Sequence, residues 1–332
     1  MKNLTLLFLL FGILFYSACI NDDNLVISAP CEWEATFTSV PDTCFDLPRN
    51  PNGSVFTAPY EVDYSFFAPT FNPLKEGSIY YVKINLPERD EIQLIRRDLC
   101  PGSMNMEQII ATEGFGFMKI NQDGNLLYRS NQRTLNYYNV SNNTVDTILT
   151  DISMIDAFWI NGATCAACVY IEETGKNQYV TYDTSGVRLD TLPITFANVS
   201  NQNDMYFAWY YSSGPLLIYS TATLELVKSI PRPDDFNGAI RTTWVDNERL
   251  LLLETKRLSL LNIETEEETL LLDYSGCENI GFYSVTSDPF DHDRIMISRF
   301  DHYLNENGQL RREERISYYN ITTGEEQILE LE

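Results

Sequence analysis

From about residue 60 onward, apolar and polar positions alternate in short runs rich in Val, Ile, Leu, Tyr and Thr, separated by clusters of Asn, Asp, Gly and Ser. A period of two marks a half-buried strand, whereas an amphipathic helix repeats every 3.6 residues. Hardly any segment sustains the longer period, so the chain reads as all-β. One unit then recurs: a strand, a polar linker of the type Asn/Asp-x-Ser/Thr, and a second strand. It runs from Tyr137 to Leu149, Val180 to Leu192, Leu217 to Val227, Ser259 to Leu271 and Ser317 to Leu329. Its equivalent marks, Val140, Thr184, Thr221, Ile263 and Ile321, fall 37 to 58 residues apart. A second marker, a tight polar turn between two earlier strands, sits near Asn72, Asp123, Asn161, Asn203, Asp246 and Asp291 and interleaves with the hairpins.

A repeat of that length with four short strands per unit is the mark of a β-propeller blade, read as strand A, turn, strand B, strand C, hairpin, strand D. In the fifth unit these strands are expected at 240–245, 249–255, 257–263 and 268–272. Counting turns, the expected architecture is a single six-bladed propeller over residues 60–332. A seventh blade built from Glu32–Val40 is the first alternative, and a β-sandwich of similar strand number is the second. The first unit, about residues 60–110, lacks a clean C–D hairpin, and its B and C strands are placed at 79–84 and 91–95. Its stretch Phe67-Ala68-Pro69-Thr70-Phe71-Asn72-Pro73, followed by Gly77-Ser78-Ile79-Tyr80-Tyr81, resembles the repeat of TolB-type propellers, in which a Pro-x-Phe-Ser-Pro-Asp-Gly turn precedes an apolar B strand. The resemblance implies the propeller fold. The full motif is met in no single unit, and the separate N-terminal α/β domain of TolB is absent, so it implies none of that protein's partners.

The N-terminus changes the picture from fold to address. Residues 1–18 carry Lys2, an apolar run from Leu4 to Tyr16 and small Ser17 and Ala18, the pattern of an export signal too short for a membrane span of about 20 residues. Tyr16-Ser17-Ala18-Cys19 resembles a bacterial lipobox, which implies that Cys19 becomes the acylated first residue of the mature chain. Ile20-Asn21-Asp22-Asp23-Asn24 resembles the acidic tag by which Bacteroidota-type bacteria send lipoproteins to the cell surface; a periplasm-facing lipoprotein is the alternative. Residues 19–30 are expected to form a tether and 31–59 an N-terminal extension. Membrane attachment is then through the lipid anchor only.

The chain has 332 residues with 23 Lys+Arg against 47 Asp+Glu, a formal net charge of −24. Such an excess opposes phosphate backbones and anionic lipid at long range, so nucleic acid is not an expected partner. Hydrophobic residues at 44% exclude a disordered chain. Besides Cys19, six cysteines remain, and outside the cytoplasm an even number points to disulfides. Cys31 and Cys44 bracket a short loop and are the expected pair. Cys165 and Cys168 have thioredoxin-like spacing but sit at a turn entering a strand, which leaves a local disulfide or buried thiols.

Candidate chemistry is sparse. There is no Gly-x-Ser-x-Gly, His-Glu-x-x-His or P-loop pattern, the only imidazoles are His292 and His302, and no zinc cluster or other cofactor site is evident. Asp288, Asp291 and Asp293 are candidate Ca²⁺ ligands, although turn chemistry also demands Asp and Asn there. Trp209, Tyr210 and Tyr211 are candidate binding aromatics, with core packing the competing role. Trp159 and Trp244 occupy equivalent repeat positions, as packing residues do. The function expected from these features is a non-enzymatic binding or scaffolding platform for protein or glycan at the outer membrane. The alternative is a propeller enzyme, a carboxylate-based glycosidase or lyase acting on extracellular polymers, which needs two carboxylates facing one another across the pore.

Overall fold

A computed structural model describes residues 31–40, 44–55, 58–59, 64–86, 91–100, 108–112, 115–130, 133–151, 154–195, 198–200, 206–210, 214–231 and 241–331. The export signal, Cys19 and the tether lie outside them. Every element in the described residues is a strand. After β1 (Phe37–Ser39), the strands fall into consecutive groups of four. The first group is β2 (Tyr64–Phe71), β3 (Ser78–Asn85), β4 (Ile92–Asp98) and β5 (Gln108–Ala111). The second is β6 (Phe115–Ile120), β7 (Leu126–Ser130), β8 (Thr134–Asn139) and β9 (Thr144–Leu149). The third is β10 (Met154–Asn161), β11 (Thr164–Ile171), β12 (Lys176–Asp183) and β13 (Arg188–Thr195). The fourth is β14 (Asn198–Ser200), β15 (Tyr206–Tyr210), β16 (Leu216–Ser220) and β17 (Leu226–Ile230). The fifth is β18 (Arg241–Trp244), β19 (Arg249–Leu253), β20 (Arg257–Asn262) and β21 (Glu268–Asp273). The sixth is β22 (Ile280–Ser287), β23 (Arg294–Leu304), β24 (Leu310–Asn320) and β25 (Glu326–Leu329). Each group forms its own antiparallel sheet, paired in sequence order.

The first strands of the groups touch one another in cyclic order, β2 to β6, β10, β14, β18, β22 and back to β2, so the sheets stand around a common axis. A separate apolar core fills each joint. Leu127, Leu135 and Ile148 of the second sheet meet Trp159, Ala167 and Val180 of the third; Ile79, Tyr81 and Ile95 of the first meet Met296, Ile316 and Leu329 of the sixth, which closes the ring. Aromatic side chains lock these joints edge to face, with Tyr137 against Trp159 at 6.1 Å and Tyr80 against Tyr138 at 6.3 Å. Because both faces of a sheet are buried in this way, inner strands read as nearly continuous apolar runs, such as Leu250–Leu253. The outermost strands are exposed along much of their length, as in β9 and β17.

The repeated hairpin has one local geometry. Asn262 Oδ1 accepts from the Glu264 and Thr265 amides at 2.9 and 3.0 Å, and Glu266, four residues on, takes a left-handed φ of 61°. Ser220 with Leu224 and Asn320 with Gly324 repeat it, at φ of 58° and 71°. Short polar side chains that bond the following amides explain why the linker is Asn/Asp-x-Ser/Thr.

Glu32–Val40 does not build a seventh sheet. Phe37, Thr38 and Ser39 pair with Leu329, Ile328 and Gln327, so β1 is a fifth strand on the outer edge of the last sheet. Trp33 packs there on Phe37, Phe71 and Tyr318, with the Arg294 guanidinium 5.0 Å from its ring.

One cysteine expectation is overturned and another is resolved to one of its alternatives. Cys44 is bonded to Cys277, 233 residues away, and not to Cys31; sequence proximity does not set partner choice once the chain folds back across the last sheet. Cys31 and Cys100 are also disulfide-bonded. Cys165 and Cys168 are free and buried. Both lie within β11, and a spacing of three along a strand points their side chains to opposite faces. Cys165 accordingly packs in the core shared with the second sheet and Cys168 in that shared with the fourth. Burial pushes each thiol up to about 12, so neither is a redox nucleophile at neutral pH.

Candidate functional site

The polar turns that follow each inner strand gather at one end of the axis. In the five described turns the capping residue at or just after the end of the strand is Asn72, Asn121, Asn161, Asp246 or Asp288, and in each case its Oδ1 accepts from a turn amide, at 3.0, 2.8, 3.0, 2.9 and 2.9 Å. The turn at Asn203 lies outside the described residues. These caps hold the turns close together: Asn121 Nδ2 donates to Gly162 O at 3.4 Å, and Ser287 Oγ donates to the Trp244 carbonyl. The Asp123 carboxylate lies directly against Gly162, in space that any Cβ there would occupy.

Within this ring of turns lies a cavity of about 560 Å³, the size of a small-molecule site. It is lined by Phe71 and Pro73 from the first sheet, Ile120, Asn121, Gln122 and Asp123 from the second, and Trp159, Ile160, Asn161 and Gly162 from the third. Trp244 and Val245 come from the fifth sheet, and Thr286, Ser287 and Pro289 from the sixth. Trp159 and Trp244 are each only 1% exposed and packed in a joint between sheets. They are packing residues, not stacking platforms. Asp123 is the one carboxylate among the described lining residues, so the described mouth offers no pair of facing carboxylates of the kind glycoside hydrolysis uses.

Deeper along the same strands sits a group of charges. Lys119 precedes the lining residue Ile120, Asp156 lies three residues before Trp159, and Arg241 three before Trp244. They belong to β6, β10 and β18, three separate inner strands, yet act on one another's charge. Asp156 Oδ2 accepts from the Tyr179 hydroxyl at 3.3 Å. Lys119 and Asp156 are half-buried and Arg241 is solvent-exposed. Burial disfavours the charged forms of the two half-buried groups, pushing the Lys119 ammonium down and the Asp156 carboxyl up. Sequence reading missed this group, because its members lie far apart in the chain and match no motif.

The three candidate Ca²⁺ ligands do not converge. Asp288 caps its turn, Asp291 pairs with Arg294 at 3.0 Å, and Asp293 accepts from Thr322 Oγ1 at 2.8 Å. No group of three or more metal-ligating side chains is present among the described residues. Trp209 and Tyr210 fall on β15, the second strand of the fourth sheet; their side chains and all of Tyr211 lie outside the described residues.

Asp288 nevertheless stands apart. It is fully buried, its Oδ2 has no hydrogen-bond partner among the described residues, and burial raises its carboxyl to about 6. Arg294 counters that rise, while Asp291 and Glu76 add to it. Because the folded-state value lies above the ordinary 3.8, its contribution to stability is complete below about pH 4 and is lost as pH rises through about 6. Asp288→Asn keeps the Oδ1 cap, as Asn72, Asn121 and Asn161 do in their turns. The variant is expected to be more stable than the parent at pH 7 by about 2–3 kcal/mol, with the difference vanishing near pH 4. Denaturant unfolding across that range checks it, and a pH-independent difference would rule the mechanism out.

No family model matches the chain, and no curated protein matches it. Among solved structures it is similar to a protein designated TolB from Agrobacterium tumefaciens, with a TM-score of 0.51 and 10% identity over 67% of this chain and 83% of that one. The fold is a TolB-like β-propeller. At that identity the likeness speaks for the fold alone, and it agrees with the inner strands and turns described above. Among the described residues no helix is long and apolar enough to cross a membrane.

Proposed function

We propose that this protein is a six-bladed propeller, lipid-anchored through Cys19 at the outer membrane, that works as a non-enzymatic binding or scaffolding platform for protein or glycan through the mouth of its ring. The observation that carries the reading is the 560 Å³ cavity to which five of the six sheets contribute, with Asn121, Gln122, Asp123 and Asn161 offering both donors and acceptors. Rigid strands and side-chain-capped turns hold these groups in place without a ligand, which lowers the ordering cost of binding. The lipobox-like string and the acidic residues after it supply the address.

The test treats intact cells with protease and follows the protein, with Cys19→Ala as the unlipidated control. Cell-surface display predicts loss of the parent from intact cells and release of the control; a parent that stays protected places the platform in the periplasm. In parallel, Asn161→Trp fills the mouth and is expected to abolish retention of surface glycan or protein on the purified protein. Retention unchanged by Asn161→Trp would refute the mouth as the binding site.

A further inference from the structure

We infer that the mouth of the ring binds an amino sugar, its ammonium held by the Asp123 carboxylate and its hydroxyls by Gln122, Asn161 and Thr286. This rests on the platform reading and names the ligand class for it. Asp123 is the one charged side chain among the described residues that line the cavity, and it makes no ion pair or hydrogen bond with any described residue. Its carboxylate lies against Gly162, whose φ is not left-handed, so the close approach of the carboxylate is what leaves no room for a side chain there. A carboxylate only accepts hydrogen bonds and an ammonium only donates them, and the bond between the two is roughly twice as strong as a neutral one. The net charge of −24 draws cations toward the protein at long range. An organic cation is favoured over a metal ion because no second carboxylate, imidazole or thiolate joins Asp123 among the described lining residues.

The remaining polar groups of the lining match hydroxyls. Thr286 is 2% exposed, and its Oγ1 has no hydrogen-bond partner among the described residues. A buried hydroxyl left unpaired costs free energy that a ligand hydroxyl recovers. Gln122 makes no hydrogen bond with the described residues, so its carboxamide keeps both donors and acceptor; Asn161 spends Oδ1 on the cap of its turn and keeps Nδ2 as a donor. The lining also decides between a sugar and the other common carrier of an ammonium, a lysine side chain. Gln122, Asp123 and Asn161 are exposed, whereas apolar lining side chains such as Phe71, Trp159 and Val245 are buried. The surface that a ligand meets is therefore mostly polar, which suits a ring bearing hydroxyls around its ammonium and offers little to an aliphatic stem.

Calorimetric titrations on the full-length protein in detergent, at mildly acidic pH where the amines are protonated, compare four probes. Glucosamine and glucose differ only by ammonium against hydroxyl at one carbon; cyclohexylamine keeps a ring and the ammonium without hydroxyls; Nα-acetyl-lysine amide carries the ammonium on a peptide side chain. The expected result is binding of glucosamine, with glucose and both hydroxyl-free amines weaker by about tenfold. Asp123→Asn is expected to lower glucosamine affinity to that of glucose while leaving glucose unchanged, which shows that the variant is folded. Thr286→Val is expected to weaken glucosamine and glucose alike, by about threefold. Equal binding of glucosamine and glucose by the parent leaves the mouth as a saccharide site and overturns the ammonium. Cyclohexylamine or the lysine amide binding as tightly as glucosamine overturns the sugar. Glucosamine affinity unmoved by Asp123→Asn overturns the mouth as its site, and no glucosamine binding overturns the ligand class, while the platform reading itself fails only if Asn161→Trp leaves retention unchanged.

Discussion

Arg299→Ala is expected to lower the unfolding free energy by about 3–5 kcal/mol. Arg299 is fully buried in β23, donates through Nε and Nη2 to Asp301 at 2.9 and 2.6 Å, and through Nη1 to Glu326 at 2.6 Å. Tyr274, in the connection from the fifth sheet, donates its hydroxyl to Glu326 Oε2 at 2.8 Å, and its ring lies 5.6 Å from the guanidinium. The cluster therefore ties the last sheet to the connection that leads into it. Removing the cation leaves two carboxylates, 3% and 6% exposed at their side chains, without their counter-charge. That penalty, and not the attraction lost, sets the size of the effect. Adding Glu326→Gln to Arg299→Ala should recover part of the loss, because it removes one of the stranded charges. Equilibrium denaturation of the three proteins tests this: a loss below about 1 kcal/mol in Arg299→Ala, the range of surface pairs, would show that water reaches the cluster.

Replacing both Cys44 and Cys277 with Ala is expected to cost about 3–5 kcal/mol. The bond spans 233 residues, and in the chain-entropy picture a loop of that length restricts the unfolded ensemble by about 5 kcal/mol. In the folded state it fastens the segment around residues 44–55 and 58–59 onto the last sheet. Phe45 N donates to Asn279 Oδ1 at 3.1 Å, Leu47 N to Glu278 Oε2 at 2.9 Å, and Arg312 N to Pro59 O at 3.0 Å. Leu47, Ala58 and Leu310 bury a small satellite core beneath the segment. Those contacts persist without the sulfur bridge, so the double variant should fold and bind as the parent does, with a lower denaturation midpoint. A midpoint equal to the parent's would mean that the unfolded chain is already restrained across this span by other means.

The repeat was legible because its cause is local. Period-two strands, Asx-capped turns and the Asn/Asp-x-Ser/Thr hairpins depend on neighbours a few residues apart, so the fifth unit was placed within two residues at every strand boundary. Asp288 as a turn residue, Trp159 and Trp244 as packing residues, and the TolB-like fold follow from the same local rules. What the chain could not reveal is which distant residues the ring brings together. The pairing of Cys44 with Cys277, the use of Glu32–Val40 as an outer edge strand, the burial of Arg299 between two carboxylates, and the mutual charge effect of Lys119, Asp156 and Arg241 all join segments tens to hundreds of residues apart. Strand composition and turn chemistry are short-range properties written residue by residue. Ring closure and axial charge arise only when six sheets pack, since their energies come from burial and from distances that no sequence spacing encodes.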